Sequence, residues 1–340
     1  MPQRGFASDN ASGVHPRVLE AIAAANRGHA LAYGNDPWTA DAIAAVRSAF
    51  DCDAEVLFCF GGTGANVVAL GALTQRHEAV LCTDCAHIWN DECAAPEHFL
   101  GGKLIPVPSH QGKLTPAALA PWTAPGRGVH HAPPRVLSLT QPTEWGTLYT
   151  PDELRELCTF AHEHGWWVHV DGARFANAAA ALGLSLAALG PGCGVDVLSF
   201  GGTKNGLLGA EAVVFFDPRL GAAAAWTRKQ STQLASKMRF LAAQFSAYLE
   251  DELWRELATH ANTMARRAAA GLDGVIRFAV PVEVNMLFPR LPAAAITPLA
   301  ERFEFHVWDA ERGIARWLTS FDTTSEDVDA LVAAVRAASA

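Results

Sequence analysis

The chain has 340 residues, enough for one large domain and a smaller one. Hydrophobic residues make up 50% and charged residues 18%, which excludes a disordered protein and supplies a sizeable core. A net charge of −9 argues against nucleic-acid binding, and no run reaches the length of a membrane span. Met1-Pro2-Gln3-Arg4-Gly5 lacks the apolar stretch of a signal peptide, so a cytoplasmic protein is expected.

Helix-like and strand-like segments alternate from about residue 15 to 220. Helices are predicted over Val18 to Ala25 and Thr39 to Phe50, then a short strand over Val56 to Phe60. That strand stops at Gly61-Gly62-Thr63-Gly64, and Ala65 to Leu73 continues as a helix. Further strands are predicted at Ala79 to Cys82, Lys103 to Val107, Val136 to Leu139, Trp166 to Val170, Val195 to Phe200 and Ala212 to Phe216. Pro151 to His164 reads as a helix with Thr150 as N-cap, Pro151 in its first turn and Gly165 as the stop. Apolar strands bounded by helices imply an α/β fold with a largely parallel sheet covered on both faces. After Asp217 the character changes. Leu220 to Gly271 is mostly helical, and short strands at Val275 to Phe278, Val284 to Phe288, Phe305 to Trp308 and Ala315 to Thr319 form a small α+β unit. The expected division is 1–245 and 246–340.

Lys204 lies among small residues in Ser199-Phe200-Gly201-Gly202-Thr203-Lys204-Asn205-Gly206, at the end of a strand. A long charged side chain has no obvious packing role there. Asp171 ends another strand, in Asp171-Gly172-Ala173-Arg174. A lysine and an acid at two strand ends suit an aldehyde cofactor: the amine forms an imine, and the acid keeps the ring nitrogen protonated. Gly62, Thr63 and Gly64 open a helix after a strand, where bare backbone N–H groups can cradle a phosphate. The turn matches neither the dinucleotide fingerprint nor the Walker loop. His87 follows the next strand and could stack on a flat ring or carry a proton. Each feature also has a plainer reading: a tight turn, an ordinary imidazole, a helix cap, a surface amine. Seven cysteines include Cys82, Cys85 and Cys93 near His87, but a structural zinc site needs a second such pair, so no metal and reduced thiols are expected.

In this order and spacing the motifs resemble pyridoxal-phosphate enzymes of fold type I, the aspartate aminotransferase fold. Within it they are most similar to the threonine aldolase family, along almost the whole chain. The resemblance is carried by Ser8-Asp9-Asn10, Tyr33-Gly34-Asn35-Asp36-Pro37, the segment from Thr83 to Glu92, and His169-Val170-Asp171-Gly172-Ala173-Arg174. Val284-Asn285-Met286 and Arg316-Trp317-Leu318-Thr319-Ser320 complete it. The resemblance implies a large cofactor domain and a small C-terminal one. It implies pyridoxal 5′-phosphate, held through Lys204, with Asp171 on the ring nitrogen and Gly62, Thr63 and Gly64 on the phosphate. His87, Arg174 and Arg228 would also touch the cofactor. Ser8, Tyr33, Arg174 and Arg316 would bind the amino-acid substrate. Many family members carry a histidine where this chain has Thr143, so His87, with Glu92, becomes the expected base for the β-hydroxyl. The implied reaction is cleavage of threonine, allo-threonine or phenylserine to glycine and an aldehyde. Another β-lyase or an aminotransferase of the same fold is the alternative, and a non-catalytic remnant the third reading. The family implies a homodimer or homotetramer with sites at the dimer interface. Tyr33 and Arg228 are the residues expected to reach a neighbour.

Overall fold

The computed structural model describes residues 5–124, 126 and 128–339; most of the segment Met1 to Gly5 therefore lies outside the described residues. Seven strands form the main sheet: β1 (Glu55–Cys59), β2 (Ala79–Thr83), β3 (Lys103–Val107), β4 (Pro134–Thr140), β5 (Trp167–Gly172), β6 (Val197–Gly201) and β7 (Glu211–Phe215). Their order is β1-β7-β6-β5-β4-β2-β3. Pairs from β3 through β6 are parallel, whereas β7 runs antiparallel to both β6 and β1. Six strands therefore share one direction. The loops after β1, β2, β4, β5 and β6 emerge at the same edge, where ligands bind in open α/β sheets. Glu211, the first residue of the reversed strand β7, is delivered to that edge as well.

Helices Pro16–Ala25 and Pro37–Phe50 start earlier than periodicity alone predicts, because caps rather than apolar spacing set their first turns, whereas Pro151–Glu163 starts where its cap residues predict. Asp36 caps Pro37–Phe50 by accepting from Thr39 N. Thr150 and Glu153 form a reciprocal capping box on Pro151–Glu163. The central strands are apolar on both faces; Val168 and Val170 are fully buried, each such side chain contributing about 1.5–3 kcal/mol. Helix Arg239–Leu249 packs on Pro37–Phe50 and Pro16–Ala25. Asp251 and Glu252 then adopt left-handed backbone conformations before helix Leu253–Gly271.

The smaller sheet is antiparallel and comprises β8 (Arg277–Phe278), β9 (Met286–Leu287), β10 (Pro289–Arg290), β11 (His306–Asp309) and β12 (Ile314–Leu318). Its core gathers Met264, Leu299, Phe303, Trp317 and Leu331, together with Phe6 from the start of the chain. Phe6 N donates to Phe303 O, and Leu318 N donates to Phe6 O, both at 2.9 Å. The N-terminal segment thus crosses the loop edge of the main sheet and is anchored in the second unit. No single helix among the described residues is long and apolar enough to cross a membrane.

Candidate active site

The loops at the carboxyl edge bring four sequence motifs together. Helix Gly62–Leu73 follows β1, with Gly61 as an N-cap that makes no side-chain hydrogen bond. A Cβ placed on Gly61 or Gly62 would meet open space, so the first backbone N–H groups face an accessible recess. Gly64 differs: a Cβ there would lie 2.2 Å from the Gln233 side chain, which accepts from Phe60 N at 3.0 Å. Thr63, between them, is the hydroxyl of the turn. Arg228, on helix Ala224–Gln230, is half-buried beside the same turn. Its Nη1 reaches Phe58 O at 3.5 Å, and its Nε has no partner among the described residues. Within one chain, Arg228 therefore lies against its own phosphate turn.

Asp171 ends β5 and is buried. Burial by itself would raise its carboxyl, but the charge of His87, a hydrogen bond from Asn66 and the charge of Lys204 bring it below the usual carboxylate range. Beneath it, His169 hydrogen-bonds Ser138 Oγ at 2.8 Å and Ser199 Oγ at 3.0 Å, and burial lowers its pKa to about 4, keeping it neutral. Gly201 is required where β6 meets this loop, because a Cβ would stand 2.5 Å from Ala173 O.

Lys204 lies in the tight turn Thr203–Asn205 after β6. Among the described residues no carboxylate lies within ion-pairing distance of its amine. Burial and the charge of Arg174 lower its pKa, against the opposing charges of Asp9, Asp171 and Glu211. A larger fraction is therefore neutral, and nucleophilic, than for a surface lysine. The turn itself is held by Glu211, whose Oε2 accepts from Gly202 N at 2.9 Å. Burial pushes that carboxyl up to about 7.

His87 opens a short helix after β2. Its Nδ1 lies 2.9 Å from Glu92 Oε1, which orients the ring and leaves Nε2 free. The hydrogen bond to Glu92 raises the imidazole pKa, overcoming burial. Glu144 accepts from His87 N at 2.9 Å and from Thr140 Oγ1 at 2.7 Å, so a residue of the β4 loop caps the histidine helix from outside. Thr143 turns away from the site. It is buried, its hydroxyl paired with Thr147 Oγ1 at 2.7 Å and Gln111 O at 3.3 Å. His87, Glu92 and Asp171 offer ligand atoms within 4.8 Å of one another. The two protons of the Asn66 amide point at both carboxylates, which favours a hydrogen-bonded cluster over a cation. Cys82 and Cys85 do not join it. Burial raises both thiols to about 12, and Cys85 Sγ points to Glu144 at 3.7 Å.

The two arginines expected on the substrate carboxylate differ in freedom. Asp9 takes the Arg174 fork, at 2.6 Å from Nε and 2.9 Å from Nη2, and also accepts from Asn285 Nδ2 at 3.2 Å. Three separated motifs thus meet at one buried carboxylate. Arg316 on β12 is half-buried, its Nε lacks a partner among the described residues, and its guanidinium lies 5.2 Å over the Trp308 ring. Burial and the charge of Arg174 lower its pKa, as expected for a cation awaiting an anion. Ser8 caps the turn Asp9–Ala11 by accepting from Asn10 N at 3.1 Å. Tyr33 is half-exposed with a left-handed backbone, the Lys229 amine 5.4 Å from its ring centre.

Sequence reasoning misses Asn66, Glu144 and Glu211, and gives Asp9 no role of its own. The available signal is a lone polar residue in an apolar run: Asn66 in Ala65-Asn66-Val67-Val68, Glu211 in Ala210-Glu211-Ala212-Val213.

Residues 5–291 match the family model described as beta-eliminating lyase. The chain is 46% identical to a low specificity L-threonine aldolase of Pseudomonas aeruginosa, covering 97% of this chain and 96% of that protein. It is 43% identical to an enzyme of the same description from Pseudomonas sp., covering 98% and 97%. A solved structure of Leishmania major threonine aldolase superposes with a TM-score of 0.94 at 32% identity, covering 99% of this chain and 100% of that one. An aspartate aminotransferase from Thermus thermophilus shares the fold, with a TM-score of 0.70 at 14% identity, covering 96% and 94%.

Proposed function

The chain belongs to the beta-eliminating lyase family, and from that premise we propose that it is a low-specificity L-threonine aldolase dependent on pyridoxal 5′-phosphate. The observation that carries the reading is the convergence at one sheet edge of a partnerless, neutral-leaning lysine, a buried ionised aspartate and an uncapped helix start. These are the nucleophile, the acceptor and the backbone donors that the cofactor requires. Lys204 would hold it covalently, Asp171 would face its ring nitrogen, and Gly62, Thr63 and Gly64, with Arg228, would hold its phosphate. When bound, the cofactor supplies a sink for the electron pair of the broken bond.

The remaining work falls to the chain. Arg316 and the unused Nη1 of Arg174 hold the substrate carboxylate, with Ser8 at the edge. This orientation selects the Cα–Cβ bond for cleavage. His87 Nε2, with Nδ1 committed to Glu92, takes the β-hydroxyl proton as the aldehyde leaves. A proton returned to Cα completes glycine. Threonine, allo-threonine and phenylserine all fit a site with no dedicated partner for the β-substituent.

The enzyme is proposed to be cytoplasmic and a homodimer or homotetramer. Leu31, Tyr33, Phe60, Leu208 and Trp226 are large apolar side chains exposed in the single chain, which a second copy would cover.

The test is glycine and aldehyde release from the three substrates by cofactor-loaded protein; release from none of them overturns the reading. Deuterium at Cα is retained in glycine if the Cα–Cβ bond breaks and lost in an aminotransferase. Lys204→Ala removes the near-visible absorbance of the loaded protein and lowers turnover by at least about a thousandfold.

A further inference from the structure

Asn66 is buried on the first turns of helix Gly62–Leu73, surrounded by apolar neighbours. Its Nδ2 donates to Glu92 Oε1 at 2.8 Å and to Asp171 Oδ2 at 2.9 Å. Both amide protons are thereby used, one on each of two buried carboxylates. Glu92 Oε1 is shared, since His87 Nδ1 lies 2.9 Å from it. Among the described residues, the amide is thus the sole hydrogen-bonded link between the group expected to face the cofactor ring and the pair expected to move the substrate proton. Leaving two carboxylates this close without a donor between them raises the cost of keeping both ionised, a cost that a proton held on the adjoining His87 ring relieves.

Resting on the reading above, we propose that Asn66 is the positioning residue that spaces Asp171 from the His87–Glu92 pair. By giving one proton to each carboxylate it keeps Asp171 ionised and limits how strongly Glu92 holds the His87 ring proton. Its own helix brings no titratable group to the cluster. The groups that act electrostatically on His87 or Asp171 are Glu92 and Glu144 from the loops, His169 from β5, Lys204 from the turn and Glu211 from β7. Of this cluster, only Glu92 and Asp171 hydrogen-bond the amide. Without the donor, Glu92 Oε1 keeps only its contact to His87 Nδ1 and holds the shared ring proton more tightly. The imidazole then titrates at higher pH.

The experiment follows the His87 ring signal by NMR in histidine-labelled, cofactor-loaded protein, assigned from the resonance missing in His87→Gln. Asn66→Leu keeps the side-chain size without the donor and adds no charge, Asn66→Ala removes it, and Asn66→Ser retains one donor. The ring midpoint is expected to rise by about one pH unit in the Leu and Ala variants and by less in Asn66→Ser. The acid limb of the kcat/KM profile moves with it. An unchanged midpoint in any folded Leu or Ala variant overturns the proposal, whatever its activity or Tm. A merely structural amide would lower Tm and scale kcat without moving either midpoint. The ring titration needs no turnover. If wild-type protein cleaves none of the three substrates, the aldolase reading fails while this test still stands.

Discussion

Asp9 changes what Arg174 is free to do. A guanidinium already forked onto a buried carboxylate has only Nη1 to offer a substrate, whereas Arg316 has its Nε edge open. The substrate carboxylate then depends more on Arg316 than a symmetric pair of arginines would imply. Arg316→Ala is expected to raise KM for threonine about tenfold to a hundredfold, the worth of one or two charge-assisted hydrogen bonds, with a smaller change in kcat. Steady-state kinetics check this, and an equal fall in kcat and kcat/KM at unchanged KM would contradict it. Asp9 also supplies negative charge to Lys204, so the residue that occupies Arg174 helps balance the amine.

At the scale of elements, β7 does more than complete the sheet. Its reversal places Glu211 at the edge reached by the other strands' ends, and its carboxylate holds the lysine turn by the Gly202 amide. Because its folded pKa is raised to about 7, protonation is favoured in the folded state. That contribution is full below about pH 4.5 and is lost as pH rises through 7. Glu211→Gln keeps an acceptor for Gly202 N and removes the titration. Its Tm relative to wild type should therefore rise between about pH 5 and 8, by on the order of 5 °C. A difference independent of pH would refute this. The loop after β4 behaves in the opposite way. The Thr143 hydroxyl braces Thr147 and Gln111 inside the loop. Thr143→Ala should lower Tm and leave the pH profile of kcat in place; a shifted profile would give the hydroxyl a chemical role.

At the scale of the molecule, the N-terminal segment joins both units. Phe6 is buried with Phe303 and Trp317, while Asp9, in the next turn of chain, reaches Arg174 behind β5 and Asn285 before β9. Movement between the units would therefore be felt at the arginine that bears on Lys204. Tyr33 is exposed in the single chain, where a second copy could take it into its own site. If Tyr33 serves the neighbouring site, mixing inactive Tyr33→Ala and Lys204→Ala chains restores activity to about a quarter of wild type, because about half of random dimers are mixed and each carries one whole site. Persistent inactivity after subunit exchange would confine Tyr33 to its own chain.

Strand and helix positions were legible in the sequence, and the glycine turn, His87, Asp171 and Lys204 could be singled out there as candidates, because each couples a local pattern to a strand end, and local patterns survive without knowledge of the fold. Membership in the fold family followed from the order of those motifs. What only the tertiary structure decided is pairing across distance. Asn66 serves Glu92 and Asp171 from the helix after β1, Glu144 caps His87 from the β4 loop, Glu211 holds Gly202 across a hairpin, and Asp9 occupies Arg174 from 165 residues away. A buried polar side chain must find a partner, but the sequence carries only the demand. The fold chooses which group satisfies it, and so which arginine and which ring nitrogen are left free for substrate.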